Sequence, residues 1–228
     1  MDSSWCACSY FEAITKNISD NYDKNIYEKL GISFEKTVKS LLSKRGITLH
    51  SGKYNIDGQE GECDAVIETN KRIIFIEMKK KVLSHRARSG DDVKIFTDLA
   101  ESLLRSQSQL GRHEILLRKH GCIRLTDSQC NHDIELMGRQ IERITLTMKD
   151  WKSLQDGILL KKLIFLVVSV DLKTVDISRQ PELKRLNHYV EKLRDQHKQL
   201  IELGRGVKSN MYIHCHFYSL PQMVVVSV

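Results

Sequence analysis

The sequence predicts an α/β protein in which a mixed central β-sheet is flanked by helices. Three observations carry this. Two runs, 32–45 and 94–120, have apolar residues at helical spacing. Two strand-like runs, Asp64–Glu68 and Ile73–Glu77, are joined by the short link Thr69–Arg72. After Gly121 the chain turns to segments rich in β-branched and aromatic residues. With 228 residues, 41% of them apolar, the chain can bury one sizeable core. The expected organisation is a polar, irregular lead-in over 1–30 with at most a short helix, an α/β core over 31–175, and a C-terminal helix with strands over 176–228 packed on the same domain.

Taken in order, Gly31 marks a break, and Phe34, Val38, Leu41 and Leu42 then recur at helical spacing up to Gly46, a C-terminal glycine. Glu35 lies two turns before Leu42 and borders the buried stripe. The Gly-, Asn- and Asp-rich stretch 52–62 reads as a loop or a loose strand. The hairpin follows. Whether its loop has two residues or four, residue i pairs with residue 141 minus i, which sets Asp64 opposite Glu77. Period-two alternation places Lys79 on the same face.

The second long helix carries an apolar seam of Phe96, Leu99, Leu103, Leu110 and Leu117, with Gln107 in a gap. A polar stripe of Asp98, Ser102, Ser106, Gln109 and His113 is expected to face a solvated site. Strands are expected at 141–148, 162–170, 211–218 and 223–228, the last tied into the sheet. A helix from Pro181 runs through Leu186, Val190, Leu193 and Leu200.

No run approaches a membrane span and the N-terminus lacks a secretory layout, so a soluble, intracellular (cytoplasmic) protein with no membrane partner is expected. The six cysteines are expected to be thiols. Zinc ligation by Cys6, Cys8, Cys122, Cys130, His132, His214 and His216 is disfavoured, because their spacing does not supply the close pairs of structural zinc sites. The formal charge is +7, and residues 71–94 hold eight Lys/Arg against three acids, a local +5. A basic field there suits a polyanion, with Lys80, Lys81, Arg86 and Arg88 placed for phosphate contacts.

Two facing carboxylates destabilise a ladder unless a cation neutralises them. Asp64 and Glu77 therefore suggest a minimal Mg²⁺ (or Mn²⁺) site suited to phosphodiester chemistry, with Lys79 as a nearby positive charge. Glu35 on a helix, Asp64, then Glu77-Met78-Lys79 on the next strand resembles the PD-(D/E)XK nuclease superfamily over 32–118. The resemblance implies a restriction-endonuclease-like core and metal-dependent cleavage of DNA, with RNA as the other polyanion. It gives Asp64 and Glu77 as metal ligands, Lys79 as the catalytic lysine and Glu35 as the residue orienting the attacking water. The glutamine that some branches carry on the following helix would be Gln109, with Gln107 the alternative and His113 standing where those branches have tyrosine. Cys63 replaces the motif's proline. Many members cut both strands as dimers, so the resemblance admits a homodimer. The competing reading is a nucleic-acid-binding module of the same fold without catalysis. A scaffold domain whose basic surface meets an acidic protein is the third.

Overall fold

The computed structural model describes residues 3–127, 131–204 and 212–226. Its centre is a seven-stranded mixed sheet in the order β5–β4–β1–β2–β3–β6–β7. β1 (His50–Ile56) and β2 (Gln59–Glu68) form a hairpin closed by Asp57-Gly58, whose φ angles of 52° and 74° are those of a type I′ turn. Residues 52–62 are thus mostly strand, and the Asp-Gly dipeptide was the available signal.

β3 (Arg72–Lys79) pairs antiparallel with β2 at Ala65↔Ile76, Val66↔Phe75, Ile67↔Ile74 and Glu68↔Ile73. Each pair obeys the expected register. The turn is held by the Thr69 N–H donating to the Arg72 carbonyl at 2.8 Å and by the Thr69 hydroxyl accepting from the Arg72 N–H at 2.9 Å. β6 (Gln140–Thr147) runs parallel to β3, and β7 (Cys215–Ser219) parallel to β6, while β4 (Cys122–Thr126) and β5 (Asn131–Glu135) close the other edge.

Helices cover both faces. α1 (Ser3–Asn21) occupies much of the segment expected to be an irregular lead-in, and packs on α2 (Ile26–Ser43). α2 begins before Gly31 rather than after it. That glycine is a place of close approach instead: a Cβ there would meet the Lys80 Cδ at 3.3 Å. The C-terminus of α2 is as expected, with Gly46 at φ 73° and the Ile47 N–H donating to the Leu42 carbonyl at 3.0 Å. Phe34, Val38 and Leu42 pack on Ala65, Ile76, Met78 and Leu146. Each such side chain contributes about 1.5–3 kcal/mol on burial.

On the opposite face, short α3 (His85–Arg88) leads into α4 (Asp92–Leu99), a π-helical turn (Ala100–Leu104) and α5 (Arg105–His120), and Gly121 ends the run at φ 75°. Leu110 and Leu117 of α5 pack on Val66, Ile73, Phe75 and Ile141. The polar stripe of this helix is not solvated. Asp98, Ser102, Ser106 and His113 are all buried, and the Gln107 amide donates to the Thr145 hydroxyl at 3.0 Å, pinning α5 to β6.

Two expected strands are helices. Residues 162–169 belong to α6 (Gly157–Ser169), capped by the Asp156 carboxylate accepting from the Ile158 and Leu159 N–H groups at 3.0 and 2.8 Å. Residues 223–226 belong to α8 (Leu220–Val226), and Met223 packs into the α2 layer. An unbroken apolar run has neither a period of two nor one of 3.6, and tertiary packing decided both cases. α7 (Lys184–Glu202) lies on α5 and buries Leu186, Val190, Leu193 and Leu200. Among the described residues, no helix is long and apolar enough to cross a membrane.

Candidate active site

β3 explains why a buried strand carries charge. Ile73 and Phe75 face α5, and alternation continues that face through Glu77 and Lys79. Glu77 is only 3% exposed. The Lys79 ammonium donates to its Oε1 at 2.6 Å and to Oε1 of Gln109 at 2.9 Å. The other carboxylate oxygen, Oε2, is buried with no hydrogen-bond partner. Burial pushes the Glu77 carboxyl up to about 7, with the Lys79 ammonium pulling it back and Asp64 adding to the rise.

Asp64 sits where the β2–β3 ladder ends, next to an irregularity in β2. His50 pairs with Val66 but Gly52 pairs with Cys63, so β2 carries one extra residue there. Such a bulge breaks the pairing and re-aims a side chain. Accordingly the Met78 N–H donates to the Asp64 Oδ2 at 2.8 Å rather than to a strand carbonyl. Cys63, in the place of the motif's proline, is buried beside this bulge. Burial raises the Asp64 carboxyl, and the Met78 N–H and the Lys79 ammonium oppose the rise.

Glu35, half-buried on α2, is raised by burial and by the charge of Asp64. Asp64 thus raises both Glu35 and Glu77, and the Lys79 ammonium offsets the rise at Asp64 and Glu77. The three acids do not form a closed cage. Among the described residues, the group of three possible ligands whose donor atoms all lie within 4.8 Å of one another is His50, Glu68 and His132, not these acids.

Glu35, Met78 and Lys79 open onto a cleft of roughly 960 Å³ whose walls include Lys80, Lys81, Arg105, Lys184 and Arg185. Only two of the four residues placed for phosphate contacts line it. The Lys80 ammonium donates to the Tyr27 carbonyl at 3.0 Å, and Lys81 is paired with Asp98 and Glu101 at 3.1 and 2.8 Å. Arg86 is held by Asp91 at 2.6 Å, and Arg88 is paired with Glu12 in a separate groove. A charge run in sequence is not a surface in space, and acids from α1, from α4 and its N-cap and from the π-helical turn pair with three of these four cations.

Sequence reasoning missed Arg105, which is close enough to draw the Glu77 carboxyl down, and the Lys184-Arg185 pair of α7. Arg105 stands one turn before Gln109, and that spacing was the available signal; nothing local tied α7 to the cleft. Gln109, not Gln107, reaches Lys79. His113 turns away from Lys79, its Nδ1 hydrogen-bonded to the Tyr54 hydroxyl at 2.8 Å. Of the cysteines, Cys63, Cys122 and Cys215 form no disulfide among the described residues; Cys130 and the side chains of Cys6 and Cys8 lie outside the described residues. His214 and His216 flank the Glu142 carboxylate at 3.2 and 3.1 Å.

The chain matches no protein-family model, no curated protein and no solved structure.

Proposed function

We propose that the chain hydrolyses phosphodiester bonds of nucleic acid, DNA in the first place, with a divalent cation, Mg²⁺ or Mn²⁺, held by Asp64 and Glu77. The observation that carries this reading is the unpartnered, buried Oε2 of Glu77, whose carboxyl feels the charge of Asp64 and whose other oxygen is bound to Lys79, a residue lining the Lys- and Arg-rich cleft. A buried carboxylate oxygen without a donor is costly unless a cation meets it. The donor set is also of the right chemistry, since Mg²⁺ takes oxygen ligands from one or two carboxylates and needs no closed cage. When bound, the cation would supply Lewis-acid stabilisation of charge on the phosphate oxygens.

The chain's own groups do the rest. Lys79, oriented by Gln109 and Glu77, presents an ammonium group where negative charge grows on the phosphorus-bound oxygens. Glu35 borders the cleft, and its raised pKa suits a carboxylate that accepts a proton from the attacking water. Arg105, Lys184 and Lys80 offer positive charge to the backbone on either side of the scissile bond.

The test is cleavage of supercoiled and linear DNA, and of RNA, with Mg²⁺ or Mn²⁺ and with chelator. Metal-dependent cleavage lost in Glu77→Ala and Lys79→Ala is expected; wild-type cleavage by both variants would overturn the assignment. The open arrangement of the three acids favours one second reading, a binding module of the same fold without catalysis. It predicts salt-dependent DNA binding without metal-dependent cleavage.

A further inference from the structure

The β4–β5 hairpin hangs on the rest of the sheet by little. Its ladder to β1 is the single pair Lys53↔Thr126. Next to this weak seam, three side chains from three strands converge: His50 of β1, Glu68 of β2 and His132 of β5. Their donor atoms all lie within 4.8 Å of one another. The two imidazole rings stack with centroids 3.4 Å apart and planes 2° from parallel. Glu68 gives one carboxylate oxygen to His132 and the other to the Arg139 guanidinium at 2.6 Å. Neither ring nitrogen of His50 has a hydrogen-bond partner among the described residues.

We propose that His50, Glu68 and His132 form a binding site for a borderline-soft divalent cation of the Zn²⁺ class, which clamps the β4–β5 hairpin onto the β1–β2 hairpin. Imidazole nitrogens select zinc-type ions over Mg²⁺ and Ca²⁺, and two histidines with one carboxylate are a known zinc ligand set. A tetrahedral ion with bonds of about 2.0–2.1 Å needs donor atoms about 3.3 Å apart, which the observed spacing approaches once the imidazole rings rotate out of their stack. The stack brings the two rings together, and ligation requires them to turn out of their parallel planes so that both in-plane nitrogen lone pairs meet at the ion. Arg139 holds the Glu68 oxygen that faces away from His132, the outer-shell arrangement that fixes a ligand's orientation. Three protein ligands leave a fourth position for water or an external donor. Glu68 follows Asp64 by four residues on β2, about 13 Å along the strand, so the two sites are separate. The clamp does not depend on the nuclease reading.

The test uses the full chain, stripped with chelator and titrated with Zn²⁺ in excess Mg²⁺. Uptake of one equivalent is expected, weakened by more than about tenfold in His132→Ala and in Glu68→Gln, and unchanged in Cys122→Ser. With Co²⁺ as the probe, the spectrum should show nitrogen and oxygen ligation without thiolate charge transfer. No uptake, thiolate charge transfer, or equal uptake by wild type and both variants would each overturn the proposal. A variant that fails to fold is bypassed by the wild-type chain itself, in which Zn²⁺ should protect His50 and His132 from carbethoxylation by diethyl pyrocarbonate. Unchanged labelling of both residues would also overturn it.

Discussion

Lys79 and Gln109, separated by 30 residues and lying on a strand and a helix, meet at 2.9 Å, with the lysine ammonium donating to the amide oxygen. The same ammonium is 2.6 Å from Glu77. A lysine has about 2 kcal/mol of side-chain rotamer entropy to lose, and two fixed acceptors hold this one in place. Gln109 is a positioning residue in this reading. Gln109→Leu should lower turnover about ten- to a hundredfold with KM for the nucleic acid near wild type, since the loss falls on the transition state. A rise in KM alone would assign Gln109 to substrate binding.

The cleft wall predicts a salt signature. Lys184 and Arg105 line the cleft from two different helices, outside the basic run of 71–94. Replacing each with alanine should weaken binding evenly across DNA sequences and reduce the slope of log K against log salt by about 1 per cation. Fluorescence anisotropy at several salt concentrations measures this, and an unchanged slope would place the nucleic acid elsewhere.

His113 predicts acid lability. It is 3% exposed, and burial holds its imidazole down to about 4 from the ordinary 6.5. Between these values the unfolded chain binds a proton at this residue and the folded chain does not, so the His113 contribution to stability falls as pH drops from about 6.5 to about 4. The loss is about 3 kcal/mol. Its hydrogen-bond partner Tyr54 is pushed up to about 12, chiefly by burial, and keeps its phenol proton. The raised carboxyls of Glu77, Asp64 and Glu35 act with the opposite sign over this range, so the His113 contribution is read as a difference: between pH 7 and pH 4 in urea unfolding the wild type should lose about 3 kcal/mol more, or gain that much less, than His113→Gln.

Gly61 predicts a steric dependence on the same pair. Tyr54 and Gly61 face each other across the β1–β2 ladder, and a Cβ at Gly61 would lie 2.2 Å from the Tyr54 ring. Gly61→Ala must push the ring off its seat and break the Tyr54–His113 bond. A cost of about 2–4 kcal/mol, from overpacking and a lost buried hydrogen bond, is expected in thermal or urea unfolding.

What the sequence by itself determined is local and periodic. The hairpin register follows from a short turn, and strand alternation places Glu77 and Lys79 on one face. The apolar spacing of Phe34, Val38 and Leu42 and the stop at Gly46 mark one helix, and the seams of α5 and α7 mark two more. Backbone geometry enforces these over a few residues, so they are written in a few residues.

Other features waited for the tertiary structure. Residues 162–169 carry no periodic signal, and they are helical because Asp156 caps their helix and its Leu160, Ile164 and Val167 find a buried face. The reach of Gln109 rather than Gln107 to Lys79 depends on how α5 sits on β3 and β6. The entry of Lys184 and Arg185 into the cleft wall depends on α7 packing on α5, and the convergence of His50 and His132 on three strands meeting at an edge. Contacts between residues far apart in the chain leave no period behind them, because the free energy that selects them comes from burial of whole faces rather than from neighbours in sequence.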